Sequence, residues 1–126
     1  EQYSHVSHIV SNIKGKLKTK YTIGDLLKAL FPGGTITGCP KIRCMEIIHE
    51  VEPSNRGPYS GSFGYIGFGR QLDLNIIIRT IIIKDKKAFF HVGAGIVADS
   101  DPNKEYEETL AKAAALIRVL LVTKGE

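Results

Sequence analysis

Apolar residues alternate loosely over residues 3–17, with Val6, His8, Val10 and Ile13 on one side, which predicts a half-buried strand closed by Lys14-Gly15-Lys16. The pattern then changes period. A short helix is predicted from Thr22 or Asp25 through Leu26, Leu27, Ala29 and Leu30, and Phe31-Pro32-Gly33-Gly34 ends it because neither proline nor glycine prolongs a helix. Thr37 reads as the N-cap of a second helix with Pro40 in its first turn; Cys44, Ile47, Ile48 and Val51 form its apolar stripe as far as Glu52-Pro53. From Tyr59 the chain turns to small and aromatic residues up to Gly67, followed by apolar runs over 74–83 and 88–97. Three successive antiparallel strands fit this best, the last two joined around Lys84-Asp85-Lys86-Lys87. Both alternating faces of 74–83 are apolar, so this strand is expected to be central and covered on both sides.

The rest of the chain is organised around residues 93–112, reading GAGIVADSDPNKEYEETLAK. A glycine pair ends a strand, Asp101-Pro102 is a helix start with proline in the first turn, and a helix follows from Asn103 to about Val122. On the helical wheel Tyr106, Leu110, Ala113, Ile117 and Leu120 form an apolar stripe, with Glu105, Glu108 and Lys112 opposite at i, i+3 and i+7. That opposite face continues through Ala115 and Val119, so the helix is expected to be covered on two sides.

Composition narrows the function classes. The 126 residues suit one domain, and 43% hydrophobic content is enough for a core without metal or disulfide staples. No apolar run approaches the roughly 20 residues of a membrane span, and no residues of the sequence form a charged-then-apolar stretch of the kind expected of a signal peptide. Cys39 and Cys44 fit neither a metal-ligand pattern nor a disulfide framework and read as small core residues, which makes a reducing cytoplasm the expected location. Seventeen Lys+Arg against 13 Asp+Glu give a net charge of +4, an excess that suits anionic ligands without singling out nucleic acid. The chain opens at Glu1 and its one methionine is Met45, so a fragment of a longer protein is expected.

Several residues bear on chemistry, each with a plainer alternative. Glu105 and Glu108 on a covered face would need a cation or donors, because an unpaired buried charge is costly; the other reading is surface acids complementing the helix N-terminus. Arg79, in the most apolar segment, either grips an anion with its fork or meets an internal carboxylate or the solvent at an edge. Gly93-Ala94-Gly95 can offer backbone N–H groups to an anion or form a bulge. His8 is either a hydrogen-bonded inward histidine or a catalytic one, and Thr35 either reaches a ligand or bonds its own turn.

Five blocks, SHVSHIVSNIKGKL, PGGTITGCPKIRCMEIIHEVEP, GPYSGSFGYIGFG, LDLNIIIRT and GAGIVADSDPNKEYEETLAKA, resemble in order the C-terminal blocks of the chorismate-utilising enzymes. That family includes anthranilate synthase component I, aminodeoxychorismate synthase component I, and the isochorismate and salicylate synthases. The resemblance implies an α+β fold, the C-terminal portion of a β-α-α-β chorismate-binding sandwich with antiparallel strands and about three helices. Residues 1–126 would then be a C-terminal fragment of a catalytic domain several times longer.

Carried over residue by residue, the resemblance makes Glu108 a Mg²⁺-ligating carboxylate with Glu105 beside it. Tyr65 and Arg79 fall to the enolpyruvyl carboxylate of chorismate, and the Gly93 to Gly95 turn with Lys112 to the neighbourhood of the ring carboxylate. His8 and Thr35 would be catalytic residues near the reacting ring. Chorismate is a dianion, so a hard oxygen-liganded metal, an arginine fork and backbone donors are the groups that suit it. The wording TGCPK, SFGYIGF and LDLNIIIRT is more like aminodeoxychorismate synthase, on the route to 4-aminobenzoate and folate, than anthranilate synthase. By this resemblance a glutamine amidotransferase subunit would supply ammonia to the full enzyme. The general acid, the nucleophile-setting residue and the other metal carboxylate lie upstream in the family, so the fragment is expected to be inactive alone and to self-associate through exposed apolar surface. A reading of another class is a basic α+β module that binds a ligand or protein on its own.

Overall fold

The computed structural model of the chain describes residues 11–18 and 20–122, which form an α+β arrangement of four helical segments and two antiparallel strand pairs. Residues 11–18 have no regular structure, so the part of the predicted first strand that is described does not form; residues 3–10 lie outside the described residues. No described strand pairs with this segment, and its residues are exposed, so its backbone groups meet water rather than a ladder.

Helix α1 (Ile23–Leu30) starts as expected. Thr22 Oγ1 accepts the Asp25 backbone N–H at 3.1 Å and the Asp25 carboxylate accepts the Thr22 N–H at 2.9 Å, a reciprocal capping box; the Thr22 hydroxyl, donating to Asp25 Oδ2 at 2.7 Å, and the Thr22 N–H together hold the Asp25 carboxyl below its ordinary range. Phe31 turns extended before Pro32 and ends the helix. A single turn, α2 (Gly34–Thr37), follows, and Gly38 at φ 93° redirects the chain into α3 (Lys41–Val51). Thr37 therefore closes α2, its hydroxyl donating to Gly33 O at 3.3 Å, and Pro40 takes the N-cap position that the sequence assigned to Thr37. The end of α3 at Glu52-Pro53 is where the pattern placed it.

Strand β1 (Ser62–Ile66) pairs with β2 (Leu72–Ile76), and β3 (Ile82–Lys84) with β4 (Lys87–Phe89). The second hairpin turns on Asp85 and Lys86, both in the left-handed region, as a two-residue primed turn requires. The expected single strand over 74–83 is interrupted. Ile78 donates its N–H back to Ile76 O at 3.1 Å, Thr80 Oγ1 donates to Ile78 O at 2.9 Å, and Arg79 sits at φ 52°. These local bonds satisfy groups a continuous ladder would use, so the segment bends and two separate pairs replace one sheet with a central strand.

Helix α4 (Pro102–Val122) begins where Asp101-Pro102 predicted, with Asp101 Oδ1 accepting the N–H groups of Asn103 and Lys104, each at 3.0 Å. Its packed face is rotated from the predicted stripe. Ala113 is buried and Glu105, Thr109, Leu116 and Leu120 are half-buried, whereas Tyr106, Leu110 and Ile117 are exposed. Cover on two sides is absent among the described residues. Ala113 and Ser60 are the buried side chains there, so the hydrophobic content does not close into the expected core. Among the described residues, close contacts between elements join β1 with β2, β3 with β4, and α2 with α3. Among the described residues no helix is long and apolar enough to cross a membrane.

Candidate functional site

The segment after β4 runs without regular structure from Phe90 to Ser100 and crosses beside the first turns of α4. Lys112, on the fourth turn's rim, donates Nζ to Gly93 O at 3.0 Å and forms an ion pair with Glu108 Oε1 at 2.6 Å, pinning the glycine segment to the helix. At the helix start, Ser100 Oγ donates to Glu105 Oε1 at 2.6 Å and accepts the Val97 N–H at 3.0 Å. The carboxylate of Glu105 is thus tied to its own entry loop.

Between these elements lies a cavity of about 220 Å³. Thr35 and Ile36 of α2 line one side, Ile78 and Arg79 of the bend another, residues 91–95 a third, and Lys112 with Leu116 of α4 close it. Five residues singled out from the sequence therefore meet: Thr35, Arg79, Gly93, Gly95 and Lys112. Three cationic side chains, Arg56, Arg79 and Lys112, line it together with His91, and among the described residues no carboxylate does; Glu52 and Glu108 pair with Arg56 and Lys112 from behind the lining. In a partly enclosed site, cations on the wall with their carboxylates held behind it favour an anion. A Cβ on Gly95 would meet nothing within 4 Å, so glycine there leaves room at the cavity wall. Thr37 bonds its own turn while Thr35, two residues earlier, lines the cavity.

Other predicted positions lie elsewhere. Tyr65 stands on β1, 61% exposed and away from the cavity. Glu105 and Glu108 sit on α4 at i, i+3 beside it, with Glu108 reaching it through Lys112. His8 lies outside the described residues. The tyrosine in the cavity is Tyr59, which sequence alternation placed in the same small-and-aromatic run as Tyr65. Its hydroxyl would be 3.2 Å from a Cβ on Gly93. Arg56 and His91 were also missed. The i, i+4 spacing of Glu52 and Arg56 is a signal for the first, obscured by Pro53 between them; His91 carries no signal beyond its place ahead of the glycines.

Arg56 and Glu52 form the strongest pair in the site, with Nε 2.9 Å from Oε2 and 3.1 Å from Oε1. These bonds hold the Glu52 carboxyl below its ordinary range against the opposing effect of partial burial, and the attraction of Arg56 and His91 adds to them. The same bonds raise the Arg56 guanidinium. A larger cavity, about 660 Å³, opens on the other side of Arg56 and Tyr59 toward Phe31, Met45 and His49. It is more open and contains none of the residues singled out from the sequence, so charge and convergence favour the smaller one.

A magnesium ion takes oxygen ligands and draws one or two carboxylates from a protein. Glu105 and Glu108 fit that donor chemistry: both are carboxylates, they share a helical face, and Glu108 pairs with Lys112 of the cavity wall. Among the described residues no group of three His, Cys, Asp or Glu side chains gathers to hold a metal, so two carboxylates are the most this region offers.

A family model described as chorismate binding enzyme matches residues 1–118. The chain is 60% identical over 120 residues to an anthranilate synthase component I-like protein of Synechocystis sp., a match covering 95% of this chain and 25% of that protein. It is 52% identical over 126 residues to aminodeoxychorismate synthase component 1 of Bacillus subtilis, covering 100% of this chain and 27% of that protein. The crystal structure of anthranilate synthase component I from Streptococcus pneumoniae superposes with a TM-score of 0.74 at 47% identity, over 79% of this chain and 23% of that one. The chain spans about a quarter of the length of the relatives it matches. Its α+β arrangement is thus that of part of a larger fold, and the chain belongs to the family of chorismate-binding enzymes.

Proposed function

We propose that residues 1–126 are the C-terminal part of the catalytic domain of a chorismate-aminating enzyme, and that the complete protein makes 4-amino-4-deoxychorismate from chorismate and glutamine-derived ammonia. The observation that carries this reading is the cationic cavity in which Thr35, Arg79, Gly93, Gly95 and Lys112 converge. Chorismate brings two carboxylates. Arg79 grips the enolpyruvyl carboxylate through its planar fork, and Lys112 with the backbone at Gly95 serves the ring carboxylate. Tyr59, rather than Tyr65, supplies the phenol, since it is the tyrosine that lines the cavity. Thr35 places a hydroxyl at the ring, and His8 is the second catalytic candidate. The bound substrate excludes water, which strengthens each of these contacts. Glu105 and Glu108 would hold Mg²⁺ on the α4 side, and the ion would supply Lewis-acid chemistry there. A glutamine amidotransferase subunit delivers the ammonia, and upstream residues complete the site, so residues 1–126 alone do not turn over chorismate.

The second reading, anthranilate synthesis, draws on relatives of that name at 56% and 55% identity. Incubating the complete protein with chorismate, ammonia and Mg²⁺ and separating the products decides: 4-amino-4-deoxychorismate supports the first reading, anthranilate the second, and unconsumed chorismate overturns both. In the same assay Glu108→Gln is expected to raise the Mg²⁺ concentration needed for half-maximal rate at least roughly tenfold, and an unshifted magnesium titration would remove Glu108 from the metal's ligands.

A further inference from the structure

Arg56 lines the cationic cavity, yet its guanidinium is already engaged. Nε binds the Glu52 carboxylate, NH1 donates to Ser60 Oγ at 3.0 Å, and Cζ lies 5.5 Å from the centroid of the Tyr59 ring. Each contact leads into the cavity wall. Tyr59 stacks on His91 with centroids 5.3 Å apart and planes 16° apart, and its hydroxyl abuts Gly93, whose carbonyl accepts Lys112. Ser60 is nearly buried, sits at φ 66°, and donates its N–H to Ile77 O at 3.0 Å, two residues before Arg79. His91 contributes a buried Nδ1 with no hydrogen-bond partner among the described residues, so the stacking contact is what orients that ring.

We propose that Arg56, held by Glu52, is a positioning residue of the substrate site: it fixes the Tyr59–His91 wall and, through Ser60, the Arg79 bend, and does not itself grip a substrate carboxylate. This deepens the reading above and rests on the cavity being the chorismate site. The chemistry separates the two roles. A guanidinium that grips a carboxylate side-on uses its Nε/NH2 edge, whereas here Glu52 occupies that edge and Ser60 accepts from NH1. A non-glycine residue in the left-handed region, as Ser60 is at φ 66°, is strained and persists only when its surroundings hold it. The bond from Arg56 is one such restraint.

The test uses the complete protein and the variants Glu52→Gln, Arg56→Lys, Arg56→Met and the double variant Glu52→Gln/Arg56→Met. Measured quantities are kcat and KM for chorismate, the thermal midpoint, and the near-UV tyrosine circular dichroism. If Arg56 positions, Glu52→Gln and Arg56→Met each lower kcat/KM by roughly ten- to a hundredfold, the double variant is no worse than the worse single one, and Arg56→Lys, which keeps the charge but loses the fork, does not rescue. Values are compared per folded protein at a temperature below every midpoint, so a general loss of fold does not reproduce this pattern. A rise in KM alone for Arg56→Met, with Glu52→Gln unchanged or binding more tightly and Arg56→Lys near wild type, marks direct substrate contact and overturns the proposal. Wild-type kinetics in Glu52→Gln and Arg56→Met overturn it as well. Should Arg56→Met not fold, Glu52→Gln and Arg56→Lys carry the comparison. Should the wild-type protein not consume chorismate, the functional reading fails on its own; the tyrosine signal then decides the inference, an altered signal in Glu52→Gln and Arg56→Lys supporting it and an unchanged one overturning it.

Discussion

Replacing Lys112 by methionine separates what that side chain does for stability from what it does for binding. Its Nζ makes one hydrogen bond to Gly93 O and one ion pair to Glu108, with side-chain exposures of 41% and 53% for Lys112 and Glu108. A single hydrogen bond contributes about 0.5–1.5 kcal/mol net, and an ion pair this exposed about 0.2–1 kcal/mol. Methionine keeps most of the apolar stem, so Lys112→Met is expected to lower the unfolding free energy of the complete protein by about 1–2 kcal/mol. If the ammonium also meets a substrate carboxylate, a contact to a charged group of about 1.5–3 kcal/mol is lost, which is roughly a ten- to hundred-and-fiftyfold fall in kcat/KM. Urea denaturation and chorismate kinetics on one preparation give both numbers. A fall in kcat/KM of less than about threefold with the expected drop in stability would refute the substrate contact and leave Lys112 as a strut between Gly93 and α4.

Three further outcomes follow from local geometry. Asp101→Ala removes the acceptor of the Asn103 and Lys104 N–H groups and is expected to cost about 1 kcal/mol, read as faster amide exchange in the first turn of α4; unchanged protection of those amides would contradict the cap. Gly64→Ala drives a methyl group into the Asp73 carbonyl of the β1–β2 ladder, which as backbone cannot yield, so a loss of at least roughly 1–3 kcal/mol is expected by thermal unfolding and a wild-type midpoint would contradict the register. The Glu52 carboxyl is held below its ordinary range, so its pair with Arg56 stabilises fully above the unfolded-state value and is lost as pH falls through the folded one. Stability is therefore expected to decline on acidification below about pH 4.5, and less steeply in Glu52→Gln; identical slopes would dissociate Glu52 from that decline.

Features set by two or three neighbouring residues were legible in the sequence. The helix start at Thr22, one of the two starts the sequence offered, the helix start at Asp101-Pro102, the stop at Glu52-Pro53 and the turn at Asp85-Lys86 all form where side-chain chemistry acts on the nearest backbone. What failed depended on partners distant in the chain. An apolar run such as 74–83 reads as one strand because nothing in its composition reveals that Ile78 and Thr80 bond back onto the preceding residues. The wheel of α4 put Tyr106, Leu110 and Ile117 inward, yet the packed face runs through Thr109, Ala113 and Leu116, since the face is chosen by what the 91–95 segment and Lys112 pull against it.

The candidate site divides along the same line. Thr35, Arg79, Gly93, Gly95 and Lys112 were named through a family resemblance and lie around one cavity. Tyr59 and Tyr65 are six residues apart in a run of glycine, serine and aromatics, and period-two alternation cannot choose between them; the bend at Ser60, with φ 66°, turns Tyr59 to the cavity and leaves Tyr65 on the open face of β1. Arg56 escaped because its partner Glu52 ends a helix while it begins the next loop, so no single periodic pattern joins them.

A crystal structure of the complete protein with chorismate and Mg²⁺ tests the proposal that the cavity walled by Thr35, Arg79, Gly95 and Lys112 receives chorismate. One substrate carboxylate is expected on the Arg79 fork, the other beside Gly95 and Lys112, and the metal on the Glu105–Glu108 face of α4. Substrate density in the larger cavity toward Phe31 and Met45, or a substrate whose carboxylates touch neither Arg79 nor Lys112, would contradict it.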